Sequence, residues 1–205
     1  MSANETSHEI SGLPFAAIVH SEHGVVDNLL ADFAFGLRRD GWRVQGLVQQ
    51  EIGGQGKAAT MLVDLENEKC YPLFQNLGSG SGSCSLDHTS VAAASVALRE
   101  ALRQRPDLAV ANRFGGLEAD GKGLAAEMLA LISNGIPLIT VVSSDYLMDW
   151  RSATGHAGVE LPPEMEALHN CWVSCDYCPV RRWPLLRARE ILRELMNPEP
   201  TRATT

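Results

Sequence analysis

The stretch from Asp107 to Val142, DLAVANRFGGLEADGKGLAAEMLALISNGIPLITVV, decides the fold of this chain. It predicts a strand, a glycine-bearing loop, a helix and a second strand, which is the repeating unit of parallel sheets. Open α/β sheets bind ligands at the carboxyl ends of their strands. The loop after the first strand is therefore the first candidate site, and its polar residues and glycines are Asn112, Arg113, Glu118, Lys122, Gly115, Gly116, Gly121 and Gly123.

The same alternation continues on both sides of this stretch. Short apolar runs predict strands, apolar residues at helical spacing predict helices, and two alternating runs predict a hairpin. In chain order we expect a strand at 15–19, a helix at 25–41, a strand at 43–49, a hairpin at 60–74, a helix from about 87 to 105, and helices at 162–175 and 184–196, with an irregular loop at 143–158. The predicted fold is α/β, a three-layer, doubly wound, mostly parallel sheet with a β-hairpin insertion and two extra C-terminal helices.

Length and composition fit one globular domain. The 205 residues are 45 % hydrophobic and 20 % charged, so we expect a single domain over 13–197 between a disordered lead at 1–12 and a tail at 198–205. The net charge of −8 argues against nucleic-acid and anionic-membrane partners, because phosphate neutralisation needs a basic face. The polar N-terminus lacks the charged and apolar pattern of a signal peptide, so we expect none, and the five cysteines do not resemble a secreted framework. We therefore expect a cytoplasmic protein. The sequence does not indicate its oligomeric state.

The motif NRFGGLEADGKGL, at 112–124, carries a family resemblance. Together with the following GIP and its apolar strand, it resembles the domain of unknown function 2478 family (DUF2478) over roughly 15–161. That family in turn resembles small P-loop nucleoside triphosphatases, so the resemblance implies a P-loop-like fold. It implies no established activity, although members often lie beside molybdate-transport or molybdenum-enzyme genes.

The residues of a P-loop site are replaced in this chain. A P-loop reads G-x-x-x-x-G-K-[ST], with a lysine for the phosphates and a hydroxyl for Mg²⁺. In the corresponding residues 20–27, HSEHGVVD, Val26 stands in place of the lysine and Asp27 in place of the hydroxyl residue. The later strand, which ends in Asp-Glu in the relatives, ends in Asn112-Arg113. We therefore expect a degenerate site without ordinary Mg²⁺-dependent hydrolysis.

Arg113 suggests what the altered site could bind. An arginine guanidinium can donate two parallel hydrogen bonds to phosphate and other oxyanions. We expect Arg113 to contact an anion such as a nucleotide phosphate or molybdate, with Glu118 fixing Arg113 and a helix from about Ala119 adding its positive end. Equally open is a structural interpretation, in which Arg113 pairs with Glu118 and only rigidifies the loop. The candidate ligand-binding residues are Asn112, Arg113, the backbone of Gly115 and Gly116, Glu118, Lys122, His20, Ser21, His23 and Gly24.

The sequence also contains weaker candidates for binding residues. The segment GSGSGSC at 78–84 could wrap an anion, but its composition favours a flexible linker. His20 and His23, with Glu22 and His88, could bind a metal or transfer protons, although a solvated loop is the favoured interpretation. Asp145, after the last strand of the opening stretch, is a further polar candidate.

A cysteine cluster near the C-terminus supports a second hypothesis. Cys171, Cys175 and Cys178, with His169, have the C-x3-C-x2-C spacing of radical iron–sulfur enzymes, but their late position disagrees with that class. A zinc site built from these four residues and a redox-active thiol pair are alternatives. A helix stripe through Met165, Leu168, Trp172 and Cys175 is slightly favoured, because helix periodicity explains Cys175 without a metal.

Three functions follow in order of preference. The first is a non-hydrolytic protein that binds a small anion or nucleotide, accessory to molybdenum or oxyanion metabolism. The second is a nucleotide-dependent hydrolase or transferase with a rebuilt phosphate site. The third is a zinc or iron–sulfur accessory protein that uses the cysteine cluster.

Overall fold

The computed structural model describes residues 15–21, 25–54, 59–75 and 85–174. Its strands are β1 (Phe15–His20), β2 (Val44–Glu51), β3 (Thr60–Asp64), β4 (Cys70–Pro72), β5 (Phe74–Gln75), β6 (Ser85–Leu86), β7 (Leu108–Phe114), β8 (Leu138–Ser143) and β9 (Val159–Leu161). Its helices are α1 (Val25–Arg39), α2 (His88–Gln104), α3 (Gly116–Ala119), α4 (Ala125–Ser133), α5 (Leu147–Ala153) and α6 (Met165–Ser174).

One sheet organises the described residues, in the strand order β4-β3-β2-β7-β8-β1-β9. Strands β2, β7, β8, β1 and β9 are parallel, and β3 and β4 continue the sheet in antiparallel pairing. Strands β5 and β6 form a separate antiparallel pair. This confirms the predicted mostly parallel α/β sheet and its hairpin insertion.

Helices cover both faces of the sheet, which explains why its strands are apolar at consecutive positions. In β1, Ala16 and Ile18 belong to the core beneath α1 and α6, while Phe15 and Ala17 belong to the opposite core. That second core is closed by apolar residues of α2, α4 and α5, such as Leu98, Met128 and Trp150. The three-layer arrangement follows directly from this division.

The predicted hairpin and long helix form for the expected local reasons. Strands β3 and β4 pair in the register Met61 to Pro72, so the turn falls between Asp64 and Cys70 as expected. The Asp87 carboxylate caps α2 by accepting from the N–H groups of Thr89 and Ser90, each at 3.0 Å. Helix α2 ends before Arg105, which has the left-handed conformation typical of a helix C-terminus.

Two local predictions are wrong. The segment 143–158, expected to be an irregular loop, contains a short 3-10 turn at Ser144–Tyr146 and helix α5, and β9 follows it beside β1. No continuous helix begins near Ala119; instead α3 ends there and α4 begins at Ala125. Gly121 and Gly123, both with positive φ, turn the chain between these helices.

Several predictions fall on residues outside the described ranges. These are the lead at 1–12, the segment 78–84, the second C-terminal helix at 184–196 and the tail at 198–205. Within the described ranges, no helix has the length and apolar composition needed to cross a membrane.

Candidate functional site

Asp27 is the centre of a buried polar cluster at the carboxyl ends of β2 and β7. This residue lies in the first turn of α1 and is 6 % exposed. Asn112 Nδ2 donates to Asp27 Oδ1 at 3.0 Å, and Gln49 Nε2 donates to Asp27 Oδ2 at 3.1 Å. The Arg113 guanidinium donates to the same Oδ2 and forms an ion pair with the carboxylate. One carboxylate therefore holds side chains from two different strands.

The end of β7 is irregular where it supplies two of these side chains. In a regular strand, neighbouring side chains point to opposite faces of the sheet. Here the pairing of β7 with β8 shifts register between Ala111 and Phe114. Asn112 and Arg113 lie within this shift, and both contact Asp27.

The ion pair between Asp27 and Arg113 is partly removed from water. Their side chains are 9 % and 26 % exposed, respectively. Removing one partner of a buried pair typically costs about 3–5 kcal/mol, because an uncompensated charge remains. Arg113 is therefore held in place at its Asp27 side, while its guanidinium has further N–H donors that Asp27 does not use.

The predicted partner of Arg113 was wrong. Glu118 does not form the ion pair with Arg113; its Oε2 accepts from the Gly115 N–H at 3.0 Å and its Oε1 from the Leu124 N–H at 2.9 Å. Burial raises the pKa of Glu118, and its backbone hydrogen bonds and the Arg113 charge oppose this rise more weakly. The Glu118 carboxylate thus ties the loop after β7 to the start of α4.

This arrangement also removes the predicted helix end from the anion site. The backbone N–H of Leu124, at the N-terminus of α4, is already bonded to Glu118. Because residue 123 is a glycine, the Glu118 carboxylate can lie close to the backbone there; a Cβ at Gly123 would be 2.2 Å from Glu118 Oε1. Gly116 has a related role, because a Cβ at that position would lie 3.0 Å from the Tyr146 hydroxyl.

A cavity of about 560 Å³ opens beside the cluster. Its polar lining comes mainly from α1, β2, β3 and the end of β7, and its apolar lining from β3, the segment from β4 to β6, α2, α3 and the residue before α4. The polar lining residues are Asp27, Asn28, Gln49, Gln50, Glu51, Thr60, Asn112, Arg113 and Glu118. The apolar side chains are Leu62, Leu73, Phe74, Leu86, Val91, Leu117 and Leu124, and Gly115 and Gly116 complete the lining.

The predicted site residues divide into two groups. Asn112, Arg113, Gly115, Gly116 and Glu118 all line the cavity. Three of the other predicted residues do not line the cavity: Lys122 is exposed and pairs with Asp120 at 3.3 Å, His20 is buried at the end of β1, and Ser21 is exposed. The last two, His23 and Gly24, are outside the described ranges. The weaker candidates His88 and Asp145 are exposed.

The most important residue missed as a site residue is Asp27. The sequence did indicate that this side chain is buried. Asp27 lies three positions before Leu30 and four before Ala31, on the buried stripe of α1. A carboxylate on such a stripe requires a buried partner. The cavity-lining Thr60 and Phe74 gave no comparable signal, since the sequence does not reveal that the hairpin segment lies beside the carboxyl end of β2.

The predicted cysteine site falls only partly within the described residues. Helix α6 carries the expected apolar stripe, with Leu168 and Trp172 buried in the core, Met165 packed against that core, and Cys171 half-buried beside it. His169 is exposed on α6, with its Nδ1 2.9 Å from the Met165 carbonyl oxygen. In the described part of the chain no three His, Cys, Asp or Glu side chains are grouped to hold a metal.

The zinc or iron–sulfur hypothesis needs Cys175 and Cys178, which lie outside the described ranges. It stays a prediction, and elemental analysis with a visible absorbance spectrum of the purified protein tests it.

The fold and cavity define an α/β domain with a ligand-sized cavity at the carboxyl edge of its sheet. The chain belongs to the family described as protein of unknown function (DUF2478), whose model matches residues 15–172. The match passes Leu161, where the predicted family-like part ended, and so includes most of α6.

Two further similarities were found. The chain is 38 % identical over 166 residues to the molybdenum import ATP-binding protein ModC 2 of Bradyrhizobium diazoefficiens, covering 80 % of this chain but only 18 % of that protein. The solution structure of a human cancer-related nucleoside triphosphatase is similar at a TM-score of 0.48 and 16 % identity, covering 73 % of this chain and 88 % of that one. A structural likeness of this size carries no implication for activity.

Proposed function

We propose that this chain is a non-hydrolytic protein that binds a nucleotide or another small anion in the cavity beside Asp27. The observation that carries the proposal is the ion pair between Asp27 and Arg113. By comparison with P-loop proteins, these two positions would hold the magnesium hydroxyl and one of the magnesium acids. Here the two side chains neutralise each other instead, and an aspartate paired with an arginine is a poor ligand for Mg²⁺.

Arg113 would be the charged contact for the ligand. Asp27 fixes the guanidinium on one side, so less conformational entropy is lost when its other N–H groups bind an anion. The cavity volume of about 560 Å³ lies in the range typical of small-molecule sites. Asn112 would help indirectly, because its amide shares the Asp27 carboxylate with Arg113.

The name of the bacterial relative supports a nucleotide ligand and a role in molybdenum metabolism. That name concerns a protein of which this chain spans 18 %. We therefore propose an accessory role in molybdenum or oxyanion metabolism on this ground alone.

Calorimetric titration with AMP, ATP, GTP, phosphate and molybdate, each with and without Mg²⁺, tests the proposal. We expect at least one ligand to bind, and Arg113→Gln to weaken its binding by at least about tenfold, the loss expected for a charge-assisted hydrogen bond. Arg103→Gln is the matched control, since Arg103 is an exposed arginine of α2 paired with Glu100 outside the cavity. This control should bind as the wild type does.

Phosphate release measured on the same samples separates binding from catalysis. We expect no Mg²⁺-dependent release from ATP or GTP above the buffer rate. Release that requires Mg²⁺ and is lost in Arg113→Gln would overturn the non-hydrolytic proposal and establish the enzyme with a rebuilt phosphate site.

A further inference from the structure

Asn112 has a second polar atom that its contact with Asp27 does not use. The residue is 1 % exposed and lines the cavity. Its Nδ2 donates to Asp27 Oδ1 at 3.0 Å, but among the described residues no hydrogen-bond donor reaches its Oδ1. Buried polar atoms of folded proteins almost always have a hydrogen-bond partner, so this oxygen needs one.

The orientation of the Asn112 amide is determined by its neighbours. The Asp27 carboxylate, paired with Arg113, carries only acceptors, so the amide atom that faces it must be the nitrogen. Turning the amide over would replace this hydrogen bond by a repulsive contact between two oxygens. Asn112 Oδ1 is therefore an acceptor, and the group that satisfies it must bring a donor.

This acceptor lies close to the guanidinium that would bind the anion. Asn112 and Arg113 are adjacent in the chain, and they bind the two oxygens of the same Asp27 carboxylate. Both residues line the cavity. An anion that has only acceptor atoms would leave Asn112 Oδ1 unpaired and would add repulsion, whereas an anion that carries a hydroxyl group can donate to it.

From this geometry we propose that the site binds an oxyanion that keeps a hydroxyl group, of which hydrogen phosphate is the common example, in preference to fully deprotonated oxyanions such as sulfate and molybdate. Arg113 donates to the unprotonated oxygens of the anion, and Asn112 Oδ1 accepts from its hydroxyl group. The phosphate is either free or the terminal group of a small organic phosphate. This inference rests on the proposed function, that Arg113 binds an anion in the cavity.

Calorimetry of the full chain with phosphate, arsenate, sulfate and molybdate at slightly alkaline pH tests this selection. Under these conditions all of these anions are tetrahedral and mainly doubly charged, but only phosphate and arsenate keep a proton. We expect phosphate and arsenate to bind at least about tenfold more tightly, the difference expected when a buried acceptor stays unpaired. Because the comparison uses the wild-type protein, it does not depend on the stability of any variant.

Two variants assign the selection to Asn112. Asn112→Leu removes the acceptor with little change in side-chain size and should reduce the preference for phosphate over sulfate to within about twofold. Gln49→Leu is the matched control, since it also removes a donor to Asp27, at 3.1 Å, but leaves Asn112 Oδ1 in place. This control should weaken both anions by a similar factor and keep the preference. Circular dichroism checks that both variants are folded.

A comparison with AMP at about pH 6 distinguishes the two sources of phosphate, because about half of a phosphate monoester carries a proton there. AMP that binds more tightly than inorganic phosphate indicates an organic phosphate, and the reverse order indicates free phosphate. Either order supports the proposal if Asn112→Leu weakens the tighter ligand.

The outcomes separate this inference from the proposed function. If sulfate or molybdate binds as tightly as phosphate, and Arg113→Gln weakens them all, the selection for a hydroxyl group is wrong while the anion site stands. The selection is also wrong if Asn112→Leu changes phosphate and sulfate binding by the same factor. If neither these anions nor AMP binds, or if Arg113→Gln leaves all binding unchanged, both the inference and the proposed function fall.

Discussion

Single acidic residues at the carboxyl edge of the sheet are bound by other groups of the protein. Asp27 accepts hydrogen bonds from Gln49, Asn112 and Arg113, so its carboxylate is fully engaged by the protein itself. Glu118 is engaged in the same way by two backbone N–H groups. Both acids thus hold neighbouring segments of the protein together, and Arg113 is the basic side chain among the described lining residues of the cavity.

Gly123 is required by the approach of Glu118. Gly123→Ala would place a Cβ 2.2 Å from Glu118 Oε1 and force the carboxylate away from the Gly115 and Leu124 N–H groups. We expect a loss of about 2–4 kcal/mol in the free energy of unfolding, measured by urea denaturation. Gly121→Ala is the control: it has a similar positive φ but nothing within 4 Å of the added Cβ, so about 1 kcal/mol should be lost. Equal losses in the two variants would contradict the role assigned to Glu118.

The raised pKa of Glu118 predicts a particular pH dependence. Because burial raises its pKa, the folded state keeps this proton to a higher pH than the unfolded state does. Its contribution to stability is therefore largest below the unfolded value of about 4.5 and falls as the pH rises through the folded pKa. We expect the difference in unfolding free energy between wild type and Glu118→Gln to decrease with rising pH over this window, measured by denaturation at a series of pH values.

Glu160→Gln provides a control of opposite sign. The hydrogen bond from Arg151 lowers the pKa of Glu160, so its contribution is present above the unfolded value and is lost as the pH falls towards the folded one. The wild-type advantage over Glu160→Gln should therefore grow with rising pH. Parallel slopes for the two variants would show that Glu118 is not in the buried environment described above.

Among the strands, the pairing of β2 with β7 depends on Gly46. This residue pairs with Val110, has a φ of +115°, and would place a Cβ 2.0 Å from the Val110 carbonyl oxygen if it were alanine. The clash is with backbone in the middle of the sheet, so no side chain can move aside to relieve it. We expect Gly46→Ala to cost at least about 4 kcal/mol in the free energy of unfolding, determined by chemical denaturation.

Gly41→Ala is the matched control for this prediction. Gly41 also has a positive φ, of 88°, but no atom lies within 4 Å of the added Cβ. Only the backbone strain should appear, at about 1–2 kcal/mol. A Gly46→Ala variant as stable as Gly41→Ala would mean that β2 and β7 do not approach each other as closely as described.

Local sequence signals predicted those elements that local forces determine. Asp87 before an apolar helical pattern and Pro106 after it gave the limits of α2 within a residue or two, because capping and proline geometry act over one turn. Strand β9 and the pair β5–β6 were missed, since two- and three-residue strands exist only through their neighbours in space. Their sequences are too short to show the alternation of apolar and polar residues by which a strand is recognised.

The candidate site was predictable in its position but not in its contacts. Asn112 and Arg113 lie where a strand meets a glycine-rich loop, and this pattern can be recognised from residues that are neighbours in the sequence. Their partner Asp27 is 85 residues away from Asn112 in the chain, and part of the apolar lining of the cavity comes from the hairpin segment. Such pairings depend on the order of strands in the sheet, which the alternation of elements does not specify.

At the scale of the fold, the described residues form two hydrophobic cores, one on each face of the seven-stranded sheet. Leu30 of α1 lies in the core beneath α1 and α6, Leu98 of α2 lies in the opposite core, and both are fully buried. Each Leu→Ala substitution should cost about 2–5 kcal/mol, because it removes buried apolar surface and leaves a cavity. Since the sheet is shared, each variant should still unfold in a single transition, followed by circular dichroism and tryptophan fluorescence.

The double variant tests whether the sheet keeps the two cores independent. Residues that do not touch and share no partner have additive effects within about 0.5 kcal/mol. We therefore expect Leu30→Ala with Leu98→Ala to lose the sum of the two single losses, provided that urea titration begins from a stabilising buffer in which the double variant is folded. A loss well below that sum would mean that the first substitution already disturbs the sheet and, with it, the opposite core. Two separate transitions in either single variant would instead show that the two faces unfold as independent units.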